Sequence, residues 1–325
     1  MDPKKEMADP VTESPTMCWT PVAMEARIVR YADLAPCYNA FIDCRTPGSE
    51  AKENFTIIGP GVSENPAQHV HIAEPHGFNI GGARQPPGCV NSQHSHDTAE
   101  VFVVHSGSWR FDLGEHGEDA QVELHPGDVI SLPVKIFRGF TNIGDDVGFL
   151  WAVLGQDDPG HVTWAPKVFE MARDYGLVLL ENGQLVDTAA GEAIPAGAQL
   201  MRPTSVDDVA KMKRANNSEA DRMVVRAGLA PHGTVATPII GPDGPLDWPH
   251  GFTLERLDIA ASDRIAASAS SSAVVIFVHR GPLAVDWDGG ETTLGDGDTM
   301  TVPVGLTHFY RADRDTIAFI VRGAQ

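Results

Sequence analysis

The stretch "HSHDTAEVFVVHSG", residues 94–107, sets two histidines two apart and a glutamate four positions after the second. Side chains on a strand alternate with period two, so His94 and His96 share one face. Glu100 opens an apolar, β-branched run that reads as the next strand after a short turn. Two imidazoles and a carboxylate on one wall form a three-ligand set that leaves positions open on an octahedral metal. This pattern suits Fe(II), with Mn(II), Ni(II) and Zn(II) as alternatives. Further on, "GDVISLPVKIFRGFTN", residues 127–142, brings Arg138 to the same wall. Two readings follow. Arg138 clamps an anionic substrate through paired charge-assisted hydrogen bonds, or it pairs with Glu100 and plugs a site without metal. The first is the expectation adopted.

Outward from this stretch the chain repeats itself. "TIIGPGVSENPAQHVHIAEPHGF" (56–78) resembles "TPIIGPDGPLDWPHGF" (237–252). "ARIVRYADLAP" from Ala26 aligns with "AQLMRPTSVDD" from Ala198, and "DVGFLWAVLGQ" from Asp146 aligns with "DTIAFIVRGAQ" from Asp315. The chain divides accordingly into a mobile arm (1–21), a first unit (22–156), a linker (157–193) and a second unit (194–325). In each unit short strand signals are separated by Gly, Pro, Asn and Asp, the pattern of an all-β sandwich or barrel. The linker is different. "APKVFEMARDYG" has helical periodicity with Pro166 in the first turn, Gly176 as its stop, and Met171 and Tyr175 on the packed face. "LVLLENGQLV" reads as a hairpin turning at Asn182–Gly183, and Ser205 caps a further short helix.

These motifs resemble those of the cupin superfamily. Gly88, His94, His96, Glu100 and Gly107 match the first cupin motif, G-x5-H-x-H-x3,4-E-x6-G. Gly127, Pro133 and Asn142 match the skeleton of the second, with Lys135 at its second glycine and Arg138 at its histidine. The second unit keeps Gly297, Pro303, Gly305 and His308 of motif two. Counting back from Gly281 puts Ser268, Ser270 and Val274 where His94, His96 and Glu100 stand. The resemblance implies two tandem jelly-roll β-barrels of the bicupin type with short linking helices, one divalent metal in the first barrel and none in the second. It also implies an oligomer, a homodimer or a higher even assembly.

Composition narrows the partners. With 44 acidic against 24 basic residues the formal charge is −20, which disfavours phosphate backbones and anionic membranes. No apolar run is long enough for a membrane span, and the start "MDPKKEMADPVTESPTMC" lacks a signal-peptide core. Cys18, Cys37, Cys44 and Cys89 show no C-x-x-C spacing, so reduced thiols and a cytoplasmic setting are expected. Phe102, Phe140 and Trp151 are expected to line the cavity beside Arg138. His69 and His71 are read as surface or interface residues, His76 and His250 as structural, and His105 as facing away from the metal set. The function expected is a metal-dependent dioxygenase acting on a small aromatic or keto acid. The alternatives are a non-catalytic small-molecule or sugar binder, and a metal-assisted isomerase or lyase.

Overall fold

The computed structural model describes residues 19–228, 233–267 and 269–324. They form two β-barrels, each a sandwich of two largely antiparallel sheets. In the first barrel a seven-stranded sheet runs in the order Val224–Val225, Val129–Leu132, Glu100–Ser106, Gly148–Gly155, Phe78–Gln85, Glu53–Ile58, Val70–Ile72. It faces a five-stranded sheet ordered Val162–Trp164, Val90–His96, Arg138–Asn142, Trp109–Leu113, Ala120–Leu124. In the second, a six-stranded sheet (Ile28–Val29, Thr299–Val302, Val274–Arg280, Thr316–Gly323, Phe252–Ile259, Val235–Ile240) faces a four-stranded one (Arg264–Ala267, His308–Arg311, Leu283–Trp287, Gly290–Leu294). The all-β, two-barrel architecture is as the motifs imply. No helix is long and apolar enough to cross a membrane.

Four apolar cores hold this together, one of them packing the linker helix and hairpin through Trp164, Val168, Phe169 and Leu177. Another fills the first barrel, with Phe102, Phe111, Phe140 and Leu150, and another the second, with Leu257, Ile276, Leu283 and Ile320. The fourth lies between the barrels, where the outer faces of the two large sheets meet through Phe55, Val101, Phe149, Trp151, Val275, Phe277 and Phe319. Strands buried on both faces carry almost continuous apolar sequence. Gly148–Gly155 is buried at every position.

The barrels also exchange arms. Ile28–Val29, at the start of the first repeat unit, pairs with Thr299–Met300 of the second barrel. Val224–Val225 pairs with Val129–Ile130 of the first. Each arm is locked in the same way. Asp298 accepts from the Tyr31 backbone (2.9 Å) and from Arg30 Nη1 (3.0 Å). Asp128 accepts from the Ala227 backbone (2.8 Å) and from Arg226 Nη1 (3.0 Å). The counterpart of "ARIVRY" (26–31) is therefore "RMVVRA" (222–227), not the stretch from Ala198. Boundaries drawn from the repeat do not follow the packing, because Ala215, Ala220 and Met223 belong to the first barrel's core. His76 Nε2 meets Thr301 Oγ1, and His250 Nε2 meets Ser131 Oγ, a matching pair of ties between the barrels.

In the linker the helix is Pro166–Asp174, followed by the hairpin Leu177–Leu179 with Leu185–Asp187. Val168, Phe169 and Ala172 are buried, but Tyr175 is 43% exposed, so it lies outside the packed face expected for it. Ser205 caps Val206–Val209 by accepting from the Asp208 backbone. Residues 1–18 of the arm expected to be mobile, Cys18 included, lie outside the described residues. Trp19, the first described residue, accepts at its carbonyl from Trp287 Nε1. Cys37, Cys44 and Cys89 are free and buried.

Candidate metal centre

Three strands build the site. Val90–His96 carries His94 and His96, Glu100–Ser106 begins with Glu100, and Arg138–Asn142 lies beside the first with Arg138 opposite His94. The turn at 97–99 brings Glu100 onto the histidine wall. His94, His96 and Glu100 are each about 5% exposed, and one ligand atom from each lies within 4.8 Å of the others. Among the described residues no other group of this kind occurs.

The donor atoms are set for a cation. His94 Nδ1 donates to the Ser92 carbonyl (2.7 Å), which fixes the tautomer and leaves Nε2 free. His96 Nε2 lies 3.5 Å from Glu100 Oε1, and His96 Nδ1 is buried without a partner. Burial first, then the neighbouring Arg138 cation, pushes the His94 pKa well below its ordinary value. Burial also lowers His96, although Glu100 opposes it. Both rings are therefore neutral, the form that ligates metal. Burial alone would raise the Glu100 pKa. The neighbouring His96, then Arg138, overcome that and hold the carboxyl well below the usual carboxylate range.

Arg138 is placed differently from the expected clamp. It is fully buried, donates from Nη2 to Glu100 Oε2 (2.7 Å), and directs Nη1 at the carbonyls of His94 and Ile136 (3.4 Å each). Its Nε has no partner. It does not line the cavity. A buried guanidinium needs a counter-ion, and Glu100 is the one within reach. Glu100 is thus shared, Oε2 to Arg138 and Oε1 turned towards His96.

The three ligands open onto a cavity of about 70 Å³, room for a few waters or a small acid when one water needs roughly 10–15 Å³. Phe102 and Phe140 line it, with Phe41, Phe55 and Trp164, and the amides of Asn54, Gln68 and Asn91 supply polarity. Trp151 does not. It sits on the other face of its strand, stacked on Phe277 at 4.6 Å and donating from Nε1 to Thr299 Oγ1 (3.1 Å), so it belongs to the inter-barrel core. His105 also faces that core, as expected, against Tyr31, Phe277 and His279. His69 and His71 pair edge to face, and His71 Nε2 accepts from the Ala35 backbone.

A support behind His94 was not foreseen from the sequence. Lys52 and Asp43 form an ion pair with both side chains fully buried. Asp43 Oδ2 accepts from the Ser92 backbone (3.0 Å) and Lys52 Nζ donates to Asn91 Oδ1 (3.1 Å). The pair pins the residues just before His94. Both charges come from an irregular segment with no periodicity to mark them.

Among its described residues the second barrel has no such set. Ala267 lies opposite His308 as His94 lies opposite Arg138, so Ala267 is the counterpart of His94. The expected counterpart Ser268 lies outside the described residues. Val274 pairs with Val302 and Arg322 as Glu100 pairs with Leu132 and Leu154, and so takes the glutamate's place.

Known proteins give the following matches. A family model described as a cupin domain matches residues 83–153. A germin-like protein, subfamily 1 member 7, of Arabidopsis thaliana is 25% identical over 169 residues, covering 47% of this chain and 74% of its own. Among solved structures, an oxalate decarboxylase of Lactobacillus farciminis in a formate complex superposes with TM-score 0.55 at 13% identity, over 90% of this chain and 85% of its own. A salicylate 1,2-dioxygenase of Pseudoaminobacter salicylatoxidans, as a gentisate adduct, gives 0.51 at 16% identity, over 85% and 74%. At such identities the structural likeness speaks for the fold alone.

Proposed function

We propose that this chain, a two-barrel cupin, is a metal-dependent enzyme whose first barrel acts on a small organic acid, with oxidative cleavage by dioxygen as the reaction. The observation that carries this is the clustering of His94, His96 and Glu100 at the wall of an aromatic-lined cavity, with neutral rings and an ionised carboxylate. These residues would hold one divalent transition metal, Fe(II) first. Such a metal supplies Lewis acidity and one-electron chemistry at its open positions.

The chain's own residues do the rest. Ser92 O fixes the tautomer of His94. Arg138 holds Glu100 by one oxygen, so that only the other is free to ligate, which makes Arg138 a positioning residue. With a dication bound, the metal and guanidinium outweigh the single carboxylate, and the excess positive charge favours an anionic substrate. No Lys or Arg lines the cavity. Phe102, Phe140 and Trp164 present faces to a flat or apolar body, and the buried Gln68 Oε1, which lacks a partner, is open to a hydroxyl. The two enzymes of solved structure named above act, by their names, on salicylate and oxalate, acids of this kind.

The Arg138–Glu100 pair favours a second reading, a metal-free barrel that binds without turnover, because a permanent cation beside the ligands opposes a dication. One experiment separates them. Protein purified without chelators is analysed for metals, then assayed for oxygen uptake with a panel of aromatic, keto and dicarboxylic acids. One metal per chain, lost in His96→Ala, together with acid-dependent oxygen uptake supports the enzyme. Protein that stays metal-free after incubation with Fe(II), Mn(II), Ni(II) and Zn(II) would establish the binder.

A further inference from the structure

The second barrel has its own polar cluster, at positions next to those that carry the ligand set in the first. Strand register maps the positions. Arg322 stands opposite Val274 where Leu154 stands opposite Glu100. Glu255 pairs with Ile320 where Gly81 pairs with Ala152. Tyr310 follows His308 by two, as Phe140 follows Arg138. The positions of His94 and Glu100 have turned apolar in the second barrel, and the neighbouring positions of Leu154 and Gly81 have turned charged.

Arg322 and Glu255 line a cavity of about 510 Å³ at the mouth of this barrel, with Tyr310 beside them and Leu257, Ile265 and Ala267 as an apolar floor. Arg322 Nη1 donates to Glu255 Oε1 (2.6 Å), the one hydrogen bond of its guanidinium among the described residues. The two side chains are 34% and 27% exposed, so both charges reach the cavity. His308 Nδ1 donates to the Leu306 carbonyl (3.1 Å), so its Nε2 accepts the Tyr310 hydroxyl proton (3.0 Å). That leaves the Tyr310 oxygen as an acceptor. The cavity thus presents spare N–H donors of one cation, and two acceptors, one of them anionic, a short distance away.

We propose that the second barrel is a metal-free binding site for a small zwitterion of the α-amino acid class, its carboxylate on Arg322, its ammonium on Glu255 and the Tyr310 oxygen, and its side chain on the Leu257–Ile265–Ala267 floor. Charge complementarity selects this class. A plain carboxylate would meet Glu255 beside Arg322, and a plain amine would meet Arg322 beside Glu255, whereas a zwitterion satisfies both. The site is independent of the metal centre and of the reaction proposed there.

The test is isothermal titration of the full chain with the proteinogenic amino acids. The tightest binder is then compared with its des-amino acid and its decarboxylated amine. The expected result is saturable binding at micromolar to low millimolar concentration, with each half-ligand at least about ten-fold weaker, the scale of a lost charge-assisted contact. Arg322→Gln should weaken the amino acid about ten-fold or more. Glu255→Gln should erase the preference over the des-amino acid. Circular dichroism and the Tm report that both variants fold, and the half-ligand comparison on the unaltered protein stands even if they do not. No amino acid bound at millimolar concentration, half-ligands as tight as the whole, or folded variants that bind like the unaltered protein would each overturn the proposal.

Discussion

The two barrels share a strand plan but spend buried polarity in different places. In the first, His94, His96, Glu100 and Arg138 sit together in the interior, each at or below 5% exposure. In the second, Ala267, Val274 and His308 take the places of His94, Glu100 and Arg138, and the charged pair Arg322–Glu255 sits at the half-open mouth. A duplicated barrel thus keeps its strand pairing while its polar wall changes, because pairing is carried by backbone and by the outer faces that meet between the barrels. The consequence is unequal. The interior site of the first barrel depends on the charge balance of Glu100 and Arg138, whereas the equivalent positions of the second, Val274 and His308, form no such ion pair.

The largest effect should come from Glu100→Gln. It keeps the shape but leaves Arg138 buried without a counter-ion. Breaking a buried pair in this way typically costs about 3–5 kcal/mol. Urea unfolding of metal-stripped protein should show a loss of this size, and Glu100→Gln with Arg138→Met should recover most of it. A single variant within about 1 kcal/mol of the original would mean that the pair is not balancing a buried charge.

Next are the arm locks, which test how alike the halves remain. Asp128 and Asp298 are 5% and 7% exposed and hold the arms through the same two bonds. Each change to Ala removes charge-assisted bonds worth about 1.5–3 kcal/mol apiece before relaxation. The two losses should match within about 1 kcal/mol and be nearly additive, as for distant sites. A loss for Asp298→Ala alone would break the equivalence.

What the sequence made legible follows from where periodicity and spacing survive. The three-ligand wall lies in one short strand and the start of the next, so local alternation was enough to place His94, His96 and Glu100 together. Trp151 was misplaced because its strand is buried on both faces, and an all-apolar strand carries no parity signal. The arms Ile28–Val29 and Val224–Val225 are two-residue strands, too short for any pattern, and "ARIVR" was matched to a look-alike at 198. The counterpart of His94 was off by one because the loop before Val274 is one residue longer than the loop before Glu100, while the count from Gly281 back to Val274 holds because both barrels carry the same register shift there. Arg138 shows a different limit. Alternation gives its direction into the barrel, but whether it meets Glu100 or open cavity depends on a strand that is distant in sequence.

Arg138→His sharpens the comparison at the site itself, since it gives the first barrel the residue that the second carries at His308. It removes one positive charge next to the ligand set and adds a neutral donor. Even at an effective dielectric of about 20 this should favour a dication by at least about 1.4 kcal/mol, or ten-fold in affinity. Competition with a fluorescent chelator should show the tightening. The apo variant should unfold at a lower temperature, because Glu100 loses its partner, and metal should raise its Tm more than that of the unaltered protein. Unchanged metal affinity would place Arg138 outside the electrostatics of the site.

The smallest effect lies between the barrels. His105 and His279 occupy equivalent strand positions, and their rings meet at 5.6 Å and 85°. The Nδ1 atom of each is buried without a partner. Burial first, then the neighbouring His105, Arg256 and Arg280, pushes His279 down to about 3. Burial lowers His105 as well, with Asp296 opposing it. Above pH 6.5 these rings are neutral whether the chain is folded or not, so they add no pH dependence. As the pH falls below 6.5 the unfolded chain takes up protons that the folded interface refuses, and stability drops until the folded pKa near 3 is reached. At pH 5 the penalty from His279 should be on the order of 1–2 kcal/mol. Subtracting the profile of His279→Phe from that of the unaltered protein cancels the other titrating groups, His250 included. The difference should be flat above pH 6.5 and grow below it. A difference flat down to pH 4 would mean that the interface admits the proton, and that the two outer faces pack less tightly than their apolar sequence implies.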